Sequence, residues 1–408
     1  MGNDMNDTPP TVPKRIFWRP MSGRSPHESH RTATTLELFF DLIFVVAIAQ
    51  AAAGLHHGIA EAQLVESIRS FFFAFFGIWW AWINFTWFAS AYDTDDVPYR
   101  LLVFLQMTGA LIFAAAVPDF FTQTLTLPRM GVIGYTIMRL PLVVQWMRAA
   151  RADPQHRNTA MRYARGVGLS QLCWLIVAFF APQTVAVPIG ILLIVFELLV
   201  PIWAESAAQT PWHPAHIIER YGLMTIIVLG ESVLSSLGAI RASLATGGLT
   251  SDFLALCAGA LLILFAMWWL YFDGEIDNSL RLNQHAFVWG YGHYFVFASA
   301  AAVGAGLAIG ADWLAHHTEI SRTVANAAVA LPVALYLLSL WHIHYRLQLG
   351  HRGEKYAFVI TALLVLTIIW LPNAVLLIGL LLSALVTFHV KRSYIKWAPS
   401  TADPMIDG

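Results

Sequence analysis

Cysteine is almost missing from this 408-residue sequence: Cys173 and Cys257 are the only two, and both lie in apolar stretches. A disulfide framework and a thiolate metal site are therefore not expected. Charge is scarce as well. Asp, Glu, Lys and Arg make up 12% of the residues, where soluble domains carry about 25%. No phosphate-cradling loop, nucleophile elbow or Gly-rich dinucleotide fingerprint occurs, and the segments between apolar runs are too short for a soluble catalytic domain. No cofactor, metal or nucleic-acid partner is expected, and an enzymatic role is the less favoured one. Residues 1–31 hold five basic residues and Pro9, Pro10, Pro13, Pro20 and Pro26, but no apolar run of signal-peptide length. That stretch reads as a mobile cytoplasmic leader with no cleavable signal.

Hydrophobicity is what the chain has in excess, at 58% of residues and a mean hydropathy of +0.61. Twelve apolar spans follow one another, near 34–55, 68–92, 100–117, 130–149, 167–181, 185–204, 217–240, 252–273, 286–310, 323–346, 356–372 and 373–391. They are too apolar all round for surface helices and too long for barrel strands. In lipid the backbone must satisfy itself, so the expected fold is an all-α polytopic membrane bundle with the bilayer as its principal partner. Orientation follows from the basic residues. With both termini cytoplasmic, nineteen of the 24 Lys and Arg fall inside and four outside, with Arg139 within the fourth span. That bias predicts a multi-pass inner-membrane protein with an even number of spans.

The chain also repeats landmarks. Trp79-Trp80 returns as Trp268-Trp269, Ala114-Ala-Ala-Val117 as Ala300-Ala-Ala-Val303, Leu140-Pro141 as Leu331-Pro332, Pro182 as Pro372 and Glu37 as Glu219. The order is kept and the offsets stay between 182 and 191 residues. This pattern predicts two parallel six-helix repeats, residues 32–205 and 206–395, related by an axis along the membrane normal. Residues 396–408 form a cytoplasmic tail in this reading.

Acids in lipid are expensive and mark functional sites by default. Glu37 and Asp41 are four apart and share one helix face. Glu219 opens the thirteen-residue stretch Glu219-Arg-Tyr-Gly-Leu-Met-Thr-Ile-Ile-Val-Leu-Gly-Glu231, and Glu231 lies deep in its span. These four are the candidate ion or substrate residues. Arg220, Asn84, Asp273 and His293 are supporting candidates, Arg220 being expected to pair with Asp41, Glu37 or Asp273 on another helix. Glu197 is a further buried acid without a motif. The acidic groups Asp93, Asp95, Asp96 and Glu275, Asp277 read as solvated loops, as a cation-attracting mouth or as partners of nearby arginines. The paired histidines at 56–57, 213 and 216, 316–317 and 342 and 344 read as interfacial residues.

Glu37-Leu-Phe-Phe-Asp41-Leu-Ile-Phe-Val-Val-Ala, the Glu219 to Glu231 stretch and Trp268-Trp-Leu-Tyr-Phe-Asp273 resemble the signatures of the bacterial low temperature requirement A family, over most of residues 30–395. The resemblance implies an integral membrane protein linked to growth in the cold, with no established reaction. A looser likeness is to potassium channels built from two six-helix units whose first helices carry Phe-Ser-Asp. Here Phe39-Phe40-Asp41 lacks the serine, and Leu223 stands where the second unit would need aspartate. Three functional classes remain: a transporter or channel for a small ion or proton-coupled solute, a membrane-state sensor or scaffold, and a lipid-modifying membrane enzyme. A homo-oligomer is compatible with each.

Overall fold

A computed structural model describes residues 17–25, 28, 31–121, 127–247, 250–274, 283–345 and 352–397. Those residues form twelve α-helices: α1 (Thr35–Ala60), α2 (Leu64–Tyr92), α3 (Val97–Ala116), α4 (Arg129–Ala152), α5 (Arg157–Phe180), α6 (Gln183–Glu205), α7 (Pro214–Gly247), α8 (Ser251–Phe272), α9 (Asn283–Leu314), α10 (Arg322–Leu340), α11 (Arg352–Thr367) and α12 (Ala374–Trp397). Among the described residues eleven helices are long and apolar enough to cross a membrane, and Tyr356–Trp370 is a shorter apolar helical stretch. The chain is a multi-pass helical membrane protein. Several helices outrun their apolar stretches: α5 starts ten residues before the expected 167, and α9 extends past both ends of 286–310. Hydropathy locates the hydrocarbon slab and not the end of the helix.

Local chemistry sets the helix starts that matter for the site. Thr34 caps α1: its hydroxyl accepts from the Glu37 N–H at 3.3 Å, and the Glu37 carboxylate accepts from the Thr34 N–H at 2.7 Å. This reciprocal pair satisfies two of the helix's orphan donors. Asp96 caps α3 by accepting from the Tyr99 N–H, with Pro98 in the first turn, where a missing N–H costs nothing.

Packing runs mainly α3 on α4 on α5 on α6 in the first half, and α7 on α9 on α10 on α11 with α8 on α12 in the second. The halves meet where α1 packs on α7 and α9, and where α2 reaches both. Of the apolar helices α9 is the most enclosed and α6 the least. Helices α3 and α4 approach closely at Gly109 and Gly134, where a Cβ on either would run into the facing backbone. Small residues at such crossings are how membrane helices gain van der Waals contact.

The described part of the leader is packed and not loose, in contrast to the expected mobile segment. Met21 is buried, the Arg24 N–H donates to Ala91 O, and the Val97 N–H donates to Phe17 O. Residues 1–16, the acids Glu275 and Asp277, and the tail from 398 lie outside the described residues.

Candidate functional site

Three helices each contribute a pair of polar residues four apart, and the pairs converge at the leader end of the bundle. Helix α1 brings Glu37 and Asp41, α7 brings His216 and Arg220, and α2 brings Trp82 and Thr86. Spacing by four puts each pair on one helix face. All six are buried from solvent. Arg220 is the centre. Its Nη2 donates to Asp41 Oδ1 at 2.5 Å, its Nη1 lies 3.2 Å from Glu37 Oε1, and Nη2 also reaches Thr86 Oγ1 at 3.4 Å. The Trp82 indole N–H donates to the same Asp41 oxygen at 2.7 Å. His216 Nε2 lies 3.2 Å from Glu37 Oε1.

The leader closes the cluster from above. The buried Arg31 guanidinium stands 3.8 Å from both Glu37 and Asp93, and it donates to Ala89 O. Glu219, on the same helix as Arg220, accepts from the Ala33 N–H at 3.2 Å. It therefore ties the leader to α7 beside the cluster without joining the Arg220 contacts. Asp41 Oδ2 and His216 Nδ1 are buried with no hydrogen-bond partner among the described residues. The cluster thus holds three carboxyls, from Glu37, Asp41 and Asp93, against two guanidiniums, from Arg31 and Arg220. An unbalanced buried charge is costly. One proton is needed to even the count, and His216 and the carboxyls are the groups able to carry it.

Asp93 lies outside the membrane spans. Its burial, with the nearby Glu37 charge and against the pull of Arg31, raises its pKa from 3.8 to about 6. The sign follows from linkage: a carboxyl that holds its proton more tightly in the folded chain gives stability that is full below about pH 4 and fades as pH rises through 6. Asp93→Asn keeps the shape without the charge. We expect it to raise the thermal midpoint in detergent at pH 8, by the equivalent of roughly 1–3 kcal/mol, and to leave it little changed at pH 4. A midpoint that falls at pH 8 would sink this reading.

The neighbouring acids are spoken for. Asp95, at a φ of 48°, forms a bidentate pair with Arg100 at 2.7 Å. Asp96 accepts from the Arg19 N–H and from Arg148 at 2.6 Å. Burial pushes the Asp96 pKa up, but these donors together hold it below the usual carboxylate range. Of the readings open for this loop, the described acids fit that of arginine partners.

The other candidates lie elsewhere. Glu231 is buried in α7 and accepts from Ser235 Oγ at 2.5 Å, with its second oxygen unpartnered among the described residues. It lies eleven residues beyond Arg220, roughly 16 Å along the helix, so it does not share the Asp41 site. Asn84 belongs to a second buried network. It accepts from Arg139, whose Nη2 stands 3.8 Å from Glu197, and Glu197 takes hydrogen bonds from Tyr135, Gln171 and Trp174. Asp273 lies 3.5 Å from His389 of α12. His293 is held on both sides. Its Nδ1 faces the Trp289 carbonyl at 2.8 Å, which can only accept, so Nε2 is left to accept from Tyr271 O–H. This is a satisfied core histidine. Among the described residues no three His, Cys, Asp or Glu side chains are grouped as a metal site requires.

Reading the sequence missed His216, Arg31 and Trp82 as members of the cluster. The signal for His216 was present, since it precedes Arg220 by four residues, as Glu37 precedes Asp41. Nothing in the sequence places Arg31 or Trp82.

The family model described as bacterial low temperature requirement A protein matches residues 32–390. An uncharacterized protein of Rhizobium meliloti (strain 1021) is 27% identical over 337 residues, which cover 78% of each chain. No solved structure matches.

Proposed function

The chain belongs to the bacterial low temperature requirement A family, and on that premise we propose that it carries a small ion or a proton-coupled solute across the inner membrane. The observation that carries this reading is the buried cluster of Glu37, Asp41, Asp93, Arg31, Arg220 and His216, whose acids outnumber its arginines by one. Such a cluster binds and releases a proton where the two halves of the molecule meet. Ionisable groups inside membrane bundles mark proton relays and ion paths, and sites between repeated halves are common in transporters. Glu231, deeper on the same helix, is the second proton station of this proposal.

The halves are the two six-helix repeats that the landmarks suggest. In support, α3 packs on α4 as α9 does on α10, and α1 on α3 as α7 does on α9. The α8–α12 contact has no equally strong counterpart between α2 and α6, so the halves have diverged. In this reading the cluster lies at the cytoplasmic side. Reporter fusions are expected to place the Asp93 loop, the Arg148–Arg165 loop and the C-terminal tail inside, and the His56-His57 end of α1 outside. An external C-terminus would overturn the twelve-span arrangement.

The test of transport is reconstitution of the full chain in liposomes carrying a pH-sensitive dye, with an imposed gradient of protons or of a monovalent cation. Flux is expected in the wild type and lost in Asp41→Asn and Glu37→Gln. A folded, inserted protein that moves neither species would end the proposal. The scaffold reading also has an observation on its side, the ion pairs of Arg220 with Glu37 and Asp41 of α1. Absent flux combined with lost stability in the same variants would favour it.

A further inference from the structure

Helices α8 and α12 pack along one another, but α2 and α6 make no comparable contact. The gap between them is a groove of about 500 Å³ floored by α9, a volume in the range of ligand sites. Phe72, Phe76 and Trp79 fall at helical spacing on the α2 wall, and Ile191 and Leu198 stand two turns apart on the α6 wall. The floor is tied to both walls. Tyr294 O–H donates to Phe72 O at 2.7 Å, and Tyr291 O–H donates to Leu198 O at 3.1 Å. Those bonds use both hydroxyls, so the tyrosines offer the groove their rings.

Among the described residues lining the groove one is charged, Arg69 in the second turn of α2. Its side chain is exposed and, among the described residues, forms no hydrogen bond or ion pair, Glu66 one turn earlier included. From Arg69 to Trp79 the α2 wall runs for roughly 15 Å, which is half of the ~30 Å hydrocarbon thickness. The groove therefore spans about one leaflet, with its cation at the end away from the leader and rings in its depth. Ile191 and Phe295 on its rim are half exposed, so it opens sideways to the bilayer.

We propose that this groove is a phospholipid site: one acyl chain lies between α2 and α6, and the phosphate of an anionic headgroup sits on Arg69. The guanidinium fork matches phosphate oxygens, and basic pockets between membrane helices recognise anionic headgroups. An anionic lipid also brings no ammonium that would need an acid beside the phosphate. Below Arg69 the walls give an acyl chain apolar contact along its length. A water-soluble anion would pair with the arginine and leave those walls uncovered. The site is independent of the transport proposal, because lipid binding is read without any flux.

The test takes the full chain, delipidated in detergent, and titrates it with dioleoyl phosphatidylglycerol under native mass spectrometry. Saturable binding of a single lipid per chain is expected, with uncharged dioleoylglycerol about fivefold weaker. Arg69→Gln is expected to weaken the phospholipid by about the same factor and to leave the diacylglycerol unchanged. Ile191→Trp, which fills the groove from a half-exposed position on its wall, is expected to abolish binding of both. Arg241→Gln, which removes an exposed arginine of α7, is expected to change neither. Thermal midpoints verify that each variant is folded. Absence of saturable binding, equal binding of the two lipids, an equal loss in Arg241→Gln, or undiminished binding in Ile191→Trp would each overturn the site. A dimer that Ile191→Trp dissociates would overturn it as well, because a second copy would then occupy the groove.

Discussion

Arg220→Leu is expected to be the most destabilising single substitution in the chain, costing about 3–5 kcal/mol and lowering the thermal midpoint in detergent accordingly. The guanidinium is fully buried and stands within 3.2 Å of Glu37 and 2.5 Å of Asp41. Leucine fills part of its volume but leaves two carboxylates close together in a buried junction, with His216, Trp82 and the α1 cap as their remaining donors and Arg31, 3.8 Å from Glu37, as the remaining cation. The magnitude comes less from losing the pair than from stranding the acids. A second variant separates those two contributions. In the triple variant Glu37→Gln, Asp41→Asn, Arg220→Leu no charge is stranded, and most of the lost stability should return. If the triple variant is as unstable as Arg220→Leu alone, packing of the arginine and not charge balance holds α1 against α7.

The Glu37 side chain shows why this junction is both readable and incompletely readable from sequence. Its pairing with Asp41 follows from the helical period alone, and so does the polar face of α7. Twelve apolar runs give the number and rough limits of the helices because lipid leaves the backbone few alternatives. The partner of Arg220 was narrowed in the sequence to three acids, two of which are its neighbours in the fold. Other parts depend on tertiary placement. Thr34 and Glu37 form a capping box, legible as Thr-x-x-Glu, yet the same carboxylate also faces His216 and Arg220, and no local pattern announces that double use. Arg31 looks like any basic leader residue until the leader folds back over α2. The Glu197 network draws on α4, α5 and α6, with donors scattered from Tyr135 to Trp174, so its acid carries no motif. Asp273 is a candidate because it follows Trp269 by four as Asn84 follows Trp80, and His293 because it lies deep in its span, but one faces α12 and the other is satisfied within α8 and α9.

Loss of flux to the background of empty vesicles is the expected result for Glu231→Gln, in a protein that remains folded and inserted. The argument starts from isolation. Glu231 is enclosed in α7, it has one described donor, Ser235, and its other oxygen has none. Among the described residues no guanidinium neutralises it as Arg220 does Asp41. A carboxyl in that position is cheap to bury only when protonated, so its charge must come and go with a proton or arrive with a cation. Glutamine retains the shape and an oxygen for Ser235, but it cannot exchange a proton. A residue that merely ties helices together behaves in the opposite way: Glu231→Gln would be tolerated, and Glu231→Leu would lower the thermal midpoint by leaving the Ser235 hydroxyl without its acceptor. Measuring both variants, for flux in vesicles and for unfolding in detergent, gives two separable outcomes. Wild-type flux in a stable Glu231→Gln protein would remove Glu231 from the path and leave the Arg220 cluster, some 16 Å nearer the leader end, as the one proton station on α7.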